Sequence, residues 1–120
     1  MMERPDGIIL TISQAMLKKK GLRNWLRNFF DAMEKDEWTY WFRTGNRPRH
    51  GVMYVYLCIG GYIRYRINFV ASHGAGKMEF GNGEKLYGNA WICTCGPLTK
   101  APYRIPRKGF QGFRYTQKIF

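Results

Sequence analysis

Arg64 and Arg66 stand one residue apart in the run Tyr62-Ile63-Arg64-Tyr65-Arg66-Ile67, whose other side chains are all apolar or aromatic. A guanidinium is permanently charged and presents its donors as a planar fork, so two of them in such a run call for an anion, a carboxylate or water. The same residue types recur along the chain. Arg43 ends the aromatic stretch Glu37-Trp38-Thr39-Tyr40-Trp41-Phe42-Arg43, and every charged residue after Glu84 is basic: Lys85, Lys100, Arg104, Arg107, Lys108, Arg114 and Lys118. Tyr103, Phe110, Phe113 and Tyr115 are interleaved with this set. Cations alternating with flat rings are the composition of a groove that tracks a phosphate backbone and stacks its bases. The competing reading is a basic tail whose aromatics close a core.

Other constellations fail on spacing. Gly74-Ala75-Gly76-Lys77 invites a phosphate-loop reading, but the first glycine of GxxxxGK[ST] would fall at Ala71, and Met78 stands where a magnesium-binding hydroxyl is needed. Cys93 and Cys95 put two thiols on one face of a strand, yet no second ligand pair at zinc-site spacing accompanies them among Cys58, His50 and His73. They are expected as core or near-core thiols, and no metal or cofactor is expected. His73 beside Ser72 lacks an orienting third group. The one acidic cluster, Glu34, Asp36 and Glu37, reads as the solvated end of a helix before it reads as an acid–base pair. No catalytic residue is identified, and an enzyme is the less favoured class.

The elements that must position these residues centre on Gly51 to Ala71, two β-branched and aromatic runs joined by Gly60-Gly61. Two glycines supply the positive φ angles of a primed hairpin turn. With Gly60 and Gly61 as turn residues, Leu57 falls opposite Arg64 and Val55 opposite Arg66. One face then carries Val52, Tyr54, Tyr56, Cys58, Ile63, Tyr65, Ile67 and Phe69 as core, and the other is half apolar and half basic. Upstream, Gly7 to Ser13 reads as a strand. Leu22, Trp25, Leu26, Phe29, Phe30 and Met33 share one stripe of an amphipathic helix from about Leu22 to Lys35. Glu37 to Arg43 reads as a strand and Thr44 to Gly51 as a basic loop. Ser72 to Asn89 reads as a long glycine-rich loop, Ala90 to Cys95 as a strand ended by Gly96-Pro97, and the stretch near Tyr115 as a closing strand.

With 120 residues, the chain suits one domain over residues 1–120. A hydrophobic share of 45% and an aromatic share of 17% argue against disorder. Twenty Lys plus Arg against 8 acids give a formal charge of +12, which favours a polyanionic partner. Met1 to Gly7 lacks an apolar signal core, and the longest apolar run, Val52 to Ile63, is too short to span a bilayer. No membrane association is expected, and with three cysteines in no framework spacing the expected location is cytoplasmic.

The order strand, helix, aromatic strand ending in arginine, basic loop, hairpin with an Ile-Arg-x-Arg second strand, glycine-rich loop and closing Gly109-Phe110-Gln111-Gly112-Phe113-Arg114-Tyr115 resembles the PUA-like superfamily, particularly its ASCH and EVE branches. The ASCH pattern GxKxxExR, laid over Asp36 to Arg43, keeps only Arg43; Trp38 and Trp41 replace its lysine and glutamate. The resemblance implies a base or part of an RNA held in a cleft beside a barrel. The two tryptophans favour aromatic capture over the proton transfer that an ASCH enzyme requires.

The expected fold is therefore α+β: a small curved mixed sheet or open barrel of PUA-like type with one main amphipathic helix. The expected function is nucleic-acid binding, RNA before DNA. Arg43, Arg64, Arg66, Lys100, Arg104, Arg107, Lys108 and Arg114 would hold phosphates, and Trp41, with Tyr115 or Trp91, would stack a base. The alternatives are an RNA-processing enzyme of ASCH type, a ribonuclease or acetylated-cytidine hydrolase, and a small basic protein that binds an acidic protein. Oligomeric state is not legible.

Overall fold

A computed structural model describes residues 4–12, 24, 27, 39–44, 47–48, 51–73, 78–79, 85–86, 90–110 and 112–120. These build eight strands: β1 (Gly7–Thr11), β2 (Thr39–Thr44), β3 (Tyr54–Ile59), β4 (Tyr62–His73), β5 (Met78–Glu79), β6 (Lys85–Leu86), β7 (Ala90–Pro106) and β8 (Phe113–Thr116). Six form one open mixed sheet in the order β2-β7-β4-β3-β1-β8, and β5 and β6 pair separately. Only β1 and β3 run parallel; every other neighbour is antiparallel.

The α+β expectation is overturned, because the described residues are almost all strand. Asn24 and Arg27 alone among them are helical, and the rest of the 22–35 stretch lies outside the described residues. Two further expectations change. The glycine-rich stretch after His73 contains the β5–β6 ladder, and Gly96-Pro97 does not end a strand, since β7 runs through it to Pro106. The register explains how. Arg66 is opposite Thr99 and Asn68 opposite Cys95, so residues 96–98 loop out of the ladder where Pro97 has no hydrogen bond to donate. Asn68 Nδ2 donates to the Gly96 carbonyl there at 2.9 Å. Nearer the end of β7, Tyr65 faces Lys100 and Ile63 faces Ile105, which pushes out residues 101–104 and leaves Tyr103 61% exposed.

Ile8-Ile9-Leu10 and Val55 to Ile59 are continuous apolar runs, as strands covered on both faces must be. Ile8, Leu10, Val55, Leu57, Ile59, Ile67 and Ile92 form a first core cluster with Phe42, Tyr65 and Phe69. Ile9, Tyr56, Cys58 and Ile63 form a second, with Tyr54, Ile105, Phe110, Ile119 and Phe120 packed against it.

The Gly60-Gly61 hairpin forms, with φ values of 60° and 84°. Its expected pairing holds for only two rungs. Ile59 faces Tyr62 and Cys58 faces Ile63, but Leu57 then faces Tyr65 and Tyr56 faces Arg66. Arg64 is the extra residue of a β-bulge, and an inserted residue reverses the facing of everything beyond it. Ile63 therefore joins Tyr56 and Cys58, while Tyr65, Ile67 and Phe69 join Val55, Leu57 and Ile59. The single core face expected for Val52 to Phe69 is in fact divided between the two clusters, and the half-basic opposite face does not exist.

Candidate nucleic-acid interface

The turn end of the hairpin gathers cations from three parts of the chain. Arg107 N–H donates to Gly61 O at 2.8 Å, and Pro106 is opposite Tyr62, so the end of β7 lies against the turn. The Arg104 guanidinium sits 4.9 Å from the centre of the Tyr62 ring. Beyond Arg107, the chain crosses to β1: Phe110 N–H donates to Thr11 Oγ1 at 3.2 Å, and Gly109 passes so close that a Cβ there would lie 3.1 Å from Thr11 Cγ2. Phe110 is thereby fixed beneath two guanidinium groups, Arg107 at 5.4 Å and Arg114 at 4.8 Å from its centroid. Arg64 projects from the bulge, exposed, with Nε donating to Ile59 O at 3.1 Å. Lys108 is exposed between Arg107 and Phe110 in the chain.

Each guanidinium–ring contact contributes about 0.5–1 kcal/mol at such exposed positions, so their main effect is to orient. A guanidinium is able to stack on a base through its plane and to hold phosphate oxygens through its donors. Cys58 supports the arrangement from below. Its Sγ–H donates to Arg107 O at 3.4 Å, and burial raises the thiol pKa, opposed more weakly by the Thr11 hydrogen bond, the Arg107 charge and the Gly61 backbone.

The other residues singled out in the sequence go elsewhere. Arg66 does not share a face with Arg64; it is half-buried, with Nη1 donating to the backbone oxygen of Phe120 and its guanidinium over Tyr54 at 4.6 Å and Phe120 at 5.5 Å. Arg114 and Tyr115 take opposite faces of β8. Arg114, opposite Ile9, covers Phe110, whereas Tyr115, opposite Ile8, meets Phe113 edge-on at 5.4 Å. Lys100 is exposed opposite Tyr65, one bulge away from the turn. Trp41 and Arg43 belong to the edge strand β2, in register with Cys93 and Trp91, and their side chains lie outside the described residues. Those partners face Ala71 and His73, which puts Trp41 and Arg43 roughly 30–36 Å along β4 from Tyr62 at about 3.3 Å per residue. The expected set thus divides into a convergent group, Arg64, Arg104, Arg107, Lys108 and Arg114, and dispersed members.

Comparisons with protein-family models, curated proteins and solved structures give no match. The convergent group is therefore read on its geometry. Its staging residues, Tyr62, Thr11 and Cys58, were not marked by the sequence as part of a site. The signal for Tyr62 was its place beside the glycine turn, where a ring is open to whatever strand pairs next. Among the described residues no group of three or more His, Cys, Asp or Glu side chains gathers, and no helix is long and apolar enough to cross a membrane. Cys58 and Cys93 are buried and Cys95 half-buried, all as free thiols. An open recess of about 410 Å³ lined by Arg4, Pro5, Asp6, Gly51, Val52 and Met53 lies at the far end of the hairpin from the turn.

Proposed function

We propose that the protein binds nucleic acid, single-stranded RNA in preference to DNA, at the hairpin-turn end of its sheet. The observation that carries the reading is the gathering of Arg64, Arg104 and Arg107 at the Gly60-Gly61 turn, with Arg104 over the Tyr62 ring, Arg107 and Arg114 both over Phe110, and Lys108 exposed next in the chain. Phosphates take the forks, and unstacked bases lie against the guanidinium planes. Base capture by Trp41 and Tyr115 is not part of this mechanism, since neither belongs to the convergent group. The chain-wide charge of +12 supports the same reading through long-range attraction. The likeness to PUA-like domains is retained as a proposal; its quoted segments supply β1, the β3–β4 hairpin and β8, which are neighbours in the sheet.

The test is fluorescence anisotropy of labelled RNA and DNA of one sequence, single- and double-stranded, across a salt series. Single-stranded RNA should bind tightest, with affinity falling steeply as salt rises. Tight binding without a salt slope would sink the proposal. An acidic protein partner would instead survive nuclease treatment in a pull-down, and an RNA-processing enzyme would turn the oligonucleotide over.

A further inference from the structure

Residues 117–120 leave the sheet edge after β8 and fold back over the second core cluster, where Ile119 and Phe120 pack. Ile119 N–H donates to the Tyr56 hydroxyl at 3.0 Å; that hydroxyl donates to the Phe120 backbone oxygen at 3.3 Å, and Arg66 Nη1 donates to the same oxygen. The Phe120 ring is edge-on to Tyr56 at 5.3 Å and lies by the Arg66 guanidinium, whose other neighbour is the Tyr54 ring. The segment therefore gives this pocket an acceptor oxygen for a guanidinium and a flat ring among tyrosines. A nucleotide would supply the same two groups, a phosphate oxygen and a base.

We propose that Tyr54, Tyr56 and Arg66 form a second nucleotide-binding subsite, which residues 119–120 occupy as an internal stand-in and vacate when single-stranded RNA runs across the sheet from the basic end. This deepens the nucleic-acid reading and rests on it. Register gives the separation: Arg66 is opposite Tyr56, Tyr56 opposite Ile9 and Ile9 opposite Arg114, one row across four adjacent strands whose middle members, Ile9 and Tyr56, are buried under the side chains of the second cluster. At about 4.8 Å per strand the row spans roughly 14 Å, so a short oligonucleotide held at Arg114 reaches Arg66. Gln117 and Lys118, which lead into the segment, are exposed, and the segment is held by hydrogen bonds to side chains of Asp6, Tyr56 and Arg66 rather than by a strand ladder.

Residue-resolved amide hydrogen exchange on the whole chain, with and without a single-stranded RNA decamer, tests this directly. Lys118 N–H is held by Asp6 Oδ2 at 2.9 Å and Ile119 N–H by Tyr56, so both report closure of the segment, while Arg107 N–H reports the basic end. RNA should speed exchange at Lys118 and Ile119 about tenfold or more while slowing it at Arg107. Slowing at Arg107 with no acceleration at Lys118 and Ile119 overturns the subsite and leaves the basic end standing; no response at any of the three overturns both. As a second measurement, Tyr56→Phe keeps the ring and removes the hydroxyl that grips the segment. It should raise RNA affinity about threefold to tenfold by population shift. The gain should vanish in Tyr56→Phe/Arg66→Gln; a gain independent of Arg66, or none, also overturns the proposal.

Discussion

Arg107 acts through its backbone as much as through its charge. Its N–H ties it to Gly61, its carbonyl accepts the Cys58 thiol, and its guanidinium covers Phe110. Arg107→Ala and Arg104→Ala should each weaken RNA binding by about tenfold, uniformly across sequences, and lower the salt slope by about one. Phe110→Leu keeps the bulk and loses the flat support, and should cost about threefold in the same anisotropy assay while leaving the salt slope unchanged. Cys58 gives a pH signature. Its folded-state pKa lies above the ordinary 9.0, so the native protein holds a proton that the unfolded chain releases first. The resulting stability is complete below about pH 9 and is lost as pH rises through the folded-state value. Cys58→Ser keeps a donor for Arg107 O without titrating in this range. In denaturant melts, wild type should lose stability more steeply than this variant as pH rises above about 9; parallel curves would remove the assignment.

At the scale of elements, the bulge at Arg64 decides which side chains belong to which face. Arg64→Ala should change stability by less than about 0.5 kcal/mol, because the residue is exposed. Deleting Arg64 removes the inserted residue and leaves Ile63 opposite Cys58, Tyr65 opposite Leu57 and Arg66 opposite Tyr56, so every side chain keeps its face. The variant should keep its cooperative transition in urea; loss of that transition would overturn the assignment of Arg64 as the bulged residue. The comparison also explains what could be read in advance. Gly60-Gly61 fixed the turn, since a two-glycine link between β-branched runs has few other uses. The bulge left no trace: Ile63, Tyr65, Ile67 and Phe69 keep a strict alternation although Ile63 faces the second cluster and the other three face the first. Pro97 misled for the opposite reason, because a proline in a strand reads as an end when the ladder skips it.

Across the whole molecule, the basic surplus was legible from composition, but the cations that meet are chosen by pairings between distant segments. Arg114 reaches Phe110 because β8 lies against β1, and no local pattern announces that pairing. If five cations replace counterions on single-stranded RNA, the plot of log affinity against log salt should have a slope of about −3 to −4. A slope near −1 would mean that most of the group stays off the phosphates. The β1–β8 contact has a further effect during synthesis. Ile8, Ile9 and Leu10 are synthesised well before both of their partners, so one edge of their strand waits for β3 and the other for residues 113–116. Until then a bare apolar strand is open to other nascent chains. The Arg107–Phe110–Arg114 stack is completed only when the last strand docks, so binding at this end becomes possible only after the exposed edge has been closed.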